Sequence, residues 1–168
     1  MKEIFERRSI RKYTSEPISG EDMEKLLRAA MRAPSAGNQQ PWEFIVVRSR
    51  ETMRSIQQFH PYSKPLDTAD CAIVVCGDTR RQRFQGYWVQ DCSAAIQNLL
   101  LEAQHLGLGA VWMGVYPMEE RVEDCRKLFG LPEPVIPLGI IAVGHPAEHP
   151  APVDTYIPER VHQERWED

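Results

Sequence analysis

The run Cys71-Ala72-Ile73-Val74-Val75-Cys76-Gly77 most constrains the fold. It is apolar at nearly every position, not at every second one. A strand with one wet face alternates apolar and polar side chains, so a continuous run predicts a strand buried on both faces. Three more strands are read at Glu43-Phe44-Ile45-Val46-Val47, Ala110-Val111-Trp112-Met113-Gly114-Val115 and Val135 to Val143. Helical signals lie between them. A short helix passes through Ile4 and Phe5. A second has Ser19 as N-cap and Glu21 and Asp22 in its first turn. Its apolar positions Met23, Leu26, Leu27, Ala30 and Met31 follow helical spacing, and Pro34 stops it. Short helices are predicted at Thr52 to Phe59 and Glu119 to Leu128, with a polar loop from His60 to Asp70.

The longest helix is predicted from about Tyr87 to His105. Cys92, Ala95, Ile96, Leu99, Leu100 and Ala103 give it a wide apolar stripe, and Gly107 is a natural stop. A helix apolar on more than one face sits between layers or in an interface. After Gly144 the composition changes. Pro146, Pro150, Pro152 and Pro158 define an extended arm over 145–168 that ends in Val161, His162 and Trp166. Such an arm needs a surface to lie on, and a neighbouring subunit is one candidate. The pattern is an α+β or α/β sandwich in one domain, 1–168.

Net charge is 20 − 24 = −4, which disfavours nucleic acid and anionic membranes as partners. No segment approaches the roughly 20 apolar residues of a membrane span, and the N-terminus lacks the apolar run of a signal peptide. A cytoplasmic protein is expected. Cys71, Cys76, Cys92 and Cys125 lack Cys-x-x-Cys spacing and read as buried thiols in a reducing compartment.

Against this acidic background, Arg7-Arg8-Ser9-Ile10-Arg11-Lys12 stands out. Arg keeps its charge and grips phosphate oxygens in pairs, so the cluster predicts a local anion site. Cations near a helix C-terminus would explain the same residues without a ligand. Ala33-Pro34-Ser35-Ala36-Gly37-Asn38-Gln39-Gln40-Pro41-Trp42 is a small, polar loop entering a strand. It would let backbone approach a flat ligand; a plain helix-to-strand connection is the alternative. Trp112-Met113-Gly114 reads as core strand, although Gly inside a strand commonly marks the close approach of another group. No Gly-x-Gly-x-x-Gly follows the first strand and no Walker A sequence is present, which argues against those nucleotide sites. His60, His105, His145, His149 and His162 show no metal-ligand spacing, and no metal site is predicted.

Four segments in order resemble the nitroreductase-like flavoproteins, in a short form, over nearly the full length. They are Arg7 to Tyr13, Ala33 to Trp42, Asp91-Cys92-Ser93-Ala94-Ala95-Ile96-Gln97-Asn98-Leu99-Leu100 and Gly107-Leu108-Gly109-Ala110-Val111-Trp112-Met113-Gly114. The tail Pro158 to Trp166 is also similar to the family's closing segment.

The resemblance implies an α+β fold: a central mixed, mainly antiparallel sheet flanked by helices, in a domain-exchanged homodimer with FMN at the interface. It implies that Arg7, Ser9 and Arg11 hold the FMN phosphate and the polar edge of the flavin, with Arg8 contributing backbone. Pro34, Ser35, Ala36 and Asn38 match a loop that reaches the flavin from the other subunit. Lys64 matches a residue near the pyrimidine side. Met113 and Gly114 match the strand end beside flavin N5. The implied activity is ping-pong hydride transfer from NADH or NADPH to a small planar acceptor, such as a nitroaromatic or a quinone. No side-chain nucleophile or general base is required, so no catalytic residue is named. Dehalogenation, flavin fragmentation and non-catalytic flavin binding are the alternatives within the wider family. Two departures stand out. Thr155 occupies the arm position where many members carry a cation, which leaves Arg160 or Arg165 to compensate or the phosphate to rely on Arg7 and Arg11 alone. Met113 stands where the best-known members carry an acid.

Overall fold

The buried run forms the second strand of a four-stranded sheet in the computed structural model, which describes residues 2–166. The chain order is α1 (Lys2–Glu6), α2 (Gly20–Met31), β1 (Trp42–Val47), α3 (Arg50–Phe59), β2 (Cys71–Asp78), α4 (Trp88–His105), β3 (Gly109–Gly114), α5 (Glu119–Phe129) and β4 (Val135–Gly144). Strand order in the sheet is β1-β2-β4-β3, and every pairing of these strands is antiparallel. The expected mixed character reduces to one isolated parallel bridge between Ser9 and Ala110. All residues of the central strand β2 are buried, while the edge strands β1 and β3 are only partly so. Burial of every position explains why β2 is continuously apolar, and β4 beside it is apolar and buried in nearly the same way.

Long helix α4 crosses the sheet and touches all four strands, with α2 packed on it; α5 packs against β4 and against α3. The six stripe residues predicted for α4 are all buried. Trp88 opens α4 and fits against the sheet because Gly77 has no side chain: a Cβ there would lie 3.1 Å from Trp88 Cδ2. Ser19 caps α2 by accepting the Asp22 N–H at 3.0 Å. Helix α3 begins two residues before the predicted Thr52, because Ser49 caps it by accepting the Thr52 N–H. The loop from His60 to Asp70 contains a 3₁₀ turn, Lys64–Asp67.

A bulge interrupts the β2–β4 pairing. Val75 faces Gly139 and Cys76 faces Pro137, so Leu138 is the extra residue. The N–H groups of Val115 and Tyr116 both donate to the Leu138 carbonyl, and β3 ends at Gly114 instead of the expected Val115.

The arm after Gly144 starts tied to the core, with Thr14 N–H on the His145 carbonyl and Ala147 N–H on that of Lys12. Val153, Tyr156, Val161 and Trp166 further along are exposed. All four cysteines are buried and free. Burial pushes the thiols of Cys71, Cys92 and Cys125 up to about 12 and raises that of Cys76 likewise. Among the described residues no helix is long and apolar enough to cross a membrane, and no His/Cys/Asp/Glu group could hold a metal ion.

Candidate functional site

Edge strand β3 organises the site. The Ile10 N–H donates to the Ala110 carbonyl at 3.0 Å, so Ala110 points its backbone away from β4. Strand alternation gives Trp112 and Gly114 the same outward direction. Segment 9–11 lies close against β3 because Gly109 lacks a side chain; a Cβ there would lie 2.7 Å from Ile10 Cγ2. Tyr13 pins the far end of the segment, with its hydroxyl in reach of the Ile10 and Ala142 carbonyls. As a result Arg7, Arg8, Ser9 and Arg11 line one cavity of about 400 Å³ together with Glu148 and Pro150. The Arg11 N–H donates to Glu148 Oε1 at 2.6 Å. Among the described residues, no carboxylate forms an ion pair with the guanidinium of Arg7, Arg8 or Arg11.

Gly114 ends the same edge, roughly 13 Å along the strand from Ala110 at about 3.3 Å per residue. Its carbonyl accepts from His60 Nε2 at 2.8 Å and from an Arg121 N–H at 3.1 Å. His60 is buried, and its Nδ1 accepts the Tyr62 N–H at 3.3 Å. Burial lowers the His60 pKa, so the ring is neutral with its proton on Nε2. Exposed Lys64 opens the turn that follows, so His60 ties the Lys64 segment to Gly114. Met113 is buried and only Gly114 of the pair is exposed.

The third predicted element, the loop at 34–38, sits elsewhere in the chain. It leads into β1, and the sheet order places β1 and β3 on opposite edges. Three strand spacings separate them, about 14 Å. The loop has an unusual backbone. Gly37, Asn38 and Gln40 have φ of 53, 55 and 45°. Positive φ outside glycine is uncommon, and such residues gather at functional sites. Pro34 and Asn38 are exposed; Ser35 and Ala36 are half-buried.

Asp91 of α4 holds this conformation. Its carboxylate accepts the Ala36 N–H at 2.9 Å and Gln39 Nε2–H at 2.7 Å. The Gln39 Oε1 in turn accepts the N–H groups of Arg83 and Phe84. The Phe84 ring fills the space where a Gly37 side chain would stand.

Sequence reasoning missed Gln39, His60, Asp91, Arg121 and Glu148. Only Asp91 left a signal: an acid between Trp88 and Ala95 at helical spacing, on the apolar stripe of α4. Thr155 does not reach the Arg cavity. It lines a separate cavity of about 740 Å³ with Ile4, Phe5 and neighbouring arm residues. Arg160 and Arg165 are not among the residues that line the Arg cavity; the arm contributes Glu148 and Pro150 to it.

A sequence profile of the Nitroreductase family matches residues 4–64 and 60–145. A Methanothermobacter thermautotrophicus protein, provisionally named NADH dehydrogenase/NAD(P)H nitroreductase, is 52% identical over 163 residues, 97% of this chain and 85% of its own. Among solved structures, a Clostridium acetobutylicum protein provisionally named an NADH oxidase superposes with a TM-score of 0.94 at 45% identity, covering 98% of this chain and 99% of its own. A provisional nitroreductase from Desulfovibrio desulfuricans, solved in complex with FMN, superposes with a TM-score of 0.85 at 31% identity, covering 99% and 96% of the two chains. With the profile covering residues 4–145 of 168, the chain belongs to the nitroreductase family.

Proposed function

We propose that the chain is an FMN-dependent NAD(P)H oxidoreductase that reduces a small planar acceptor, such as a nitroaromatic or a quinone. The observation that carries this reading is the placement of the Arg7–Arg11 cavity and Gly114 along one edge strand, β3. The relatives' names, which include NAD(P)H and FMN, support it.

The residues fit the cofactor. The Arg cavity offers cations without carboxylate ion pairs among the described residues, plus the Ser9 hydroxyl, as a phosphate requires. In this reading Arg7, Arg8, Ser9 and Arg11 bind the phosphate and the polar flavin edge, Lys64 balances charge on the pyrimidine side, and the strand end at Met113 and Gly114, where the Gly114 backbone points outward, faces the reactive edge. When bound, the flavin supplies reversible two-electron chemistry; the protein supplies binding, orientation and electrostatics. The neutral His60 ring and Arg121 fix the Gly114 carbonyl, and Asp91 fixes the 35–40 loop. Donor and acceptor use one site in turn, so ping-pong kinetics are expected.

The opposite-edge position of the Pro34, Ser35, Ala36 and Asn38 loop supports a homodimer in which that loop completes the partner's flavin site. Exposed Phe5 and the exposed apolar arm residues give such a dimer its contact surface.

Anaerobic stopped-flow mixing of the FMN-loaded protein with NADH or NADPH tests the activity. Loss of the flavin absorbance band is expected with at least one of them; a band that persists with both leaves only flavin binding. Arg7→Ala and Arg11→Ala should each weaken FMN binding by about 1.5–3 kcal/mol, through lost charge-assisted bonds. Dialysis and sedimentation at the flavin wavelength check this reading together. Unchanged affinity in both variants refutes the phosphate assignment, and a stable yellow monomer refutes the shared site.

A further inference from the structure

The end of β3 carries a cation that the flavin reading uses only to hold the Gly114 carbonyl. Arg121 spends one of its five N–H donors on the Gly114 carbonyl. Its guanidinium lies over the Tyr62 ring, 5.5 Å from the centroid. Tyr62 is 71% exposed, so its ring meets solvent beside Arg121. Edge contact with the buried His60, centroids 6.4 Å apart, sets the ring's position. Among the described residues Arg121 forms no ion pair. Glu119 and Glu120 precede it on α5, at spacings that do not face each other on a helix. Its place in the first helical turn also opposes the helix dipole, so helix stability does not account for a cation there.

Resting on the proposed activity, we infer that Arg121 and Tyr62 form an acceptor subsite for planar molecules bearing an anionic group, with aromatic carboxylates as the ligand class. Tyr62 offers the ligand ring an edge-on aromatic contact beside Arg121. Arg121 offers the carboxylate its remaining donors, already oriented by the Gly114 carbonyl and the Tyr62 ring, so little side-chain freedom is lost on binding. Both lie next to the backbone assigned to the flavin's reactive edge. The subsite therefore selects acceptors by charge in a chain that is otherwise acidic overall.

4-Nitrobenzoate and 4-nitrobenzamide are acceptors of similar shape that differ in charge. Their kcat/KM ratio is measured for the flavin-loaded protein, Arg121→Gln and Arg121→Lys. The ratio should fall about tenfold in Arg121→Gln, as expected for losing a charge-assisted contact, and less in Arg121→Lys. A role limited to holding Gly114 slows both acceptors alike, so an unmoved ratio overturns the inference. Benzoate titration of the same proteins, followed by calorimetry, decides the question without turnover. Binding about tenfold weaker in Arg121→Gln supports the subsite. Equal binding overturns it, even if neither nicotinamide reduces the flavin and the activity itself is lost.

Discussion

Asp91→Leu is expected to lower stability by about 3 kcal/mol and to remove most of the FMN affinity. Asp91 is 4% exposed, and both carboxylate oxygens are engaged. Leu is close in size but accepts nothing. The Ala36 N–H and Gln39 Nε2–H would lose their acceptor, at about 1–3 kcal/mol for each buried donor. The loop would then relax from its positive-φ conformation, because that geometry persists only where the surroundings enforce it. Asp91→Asn should fall between. Its amide can still accept from Ala36 but presents a donor to Gln39, and turning Gln39 over would strip the acceptor from Arg83 and Phe84. Urea unfolding gives the first quantity and flavin titration the second. An Asp91→Leu protein that binds FMN as tightly as the parent would exclude the 35–40 loop from the site.

Gly77→Ala should destabilise by about 1–3 kcal/mol, the usual cost of overpacking a core. The added methyl would press on the six-membered ring of Trp88, a rigid and buried group that cannot swing into solvent. Trp88 also meets Tyr116 edge-on at 5.0 Å, which closes one route of retreat. A double-mutant cycle with Trp88→Leu isolates the contact. Part of the Gly77→Ala loss should vanish in the Trp88→Leu background. Strict additivity would mean that the clash lies elsewhere.

What was legible in the sequence followed from locality. The β2 run, the Ser19 cap and the α4 stripe each express their physics within one element, and each was found. The Arg7–Arg11 cluster was visible because like charges rarely crowd together without a reason. The polar groups that fix the site are paired across the chain instead. Asp91 meets Ala36 and Gln39 at separations of 55 and 52 residues, and His60 meets Gly114 across 54. A lone acid or imidazole gives no sign of which distant donor or carbonyl it will meet. The end of β3 depended on a bulge in another strand, which sets where Val115 leaves the sheet.

The four buried cysteines have a use in the test tube. None exposes a thiol to solvent, and each is held in its protonated form by its surroundings, so a disulfide reagent must wait for the chain to open. Their positions in β2, α4 and α5 sample the sheet and two of its covering helices. The number of labels acquired per opening therefore measures how much of the molecule unfolds at once, and the labelling rate measures how often. A redox protein built this way keeps its own sulfur out of its chemistry and carries an internal gauge of cooperativity.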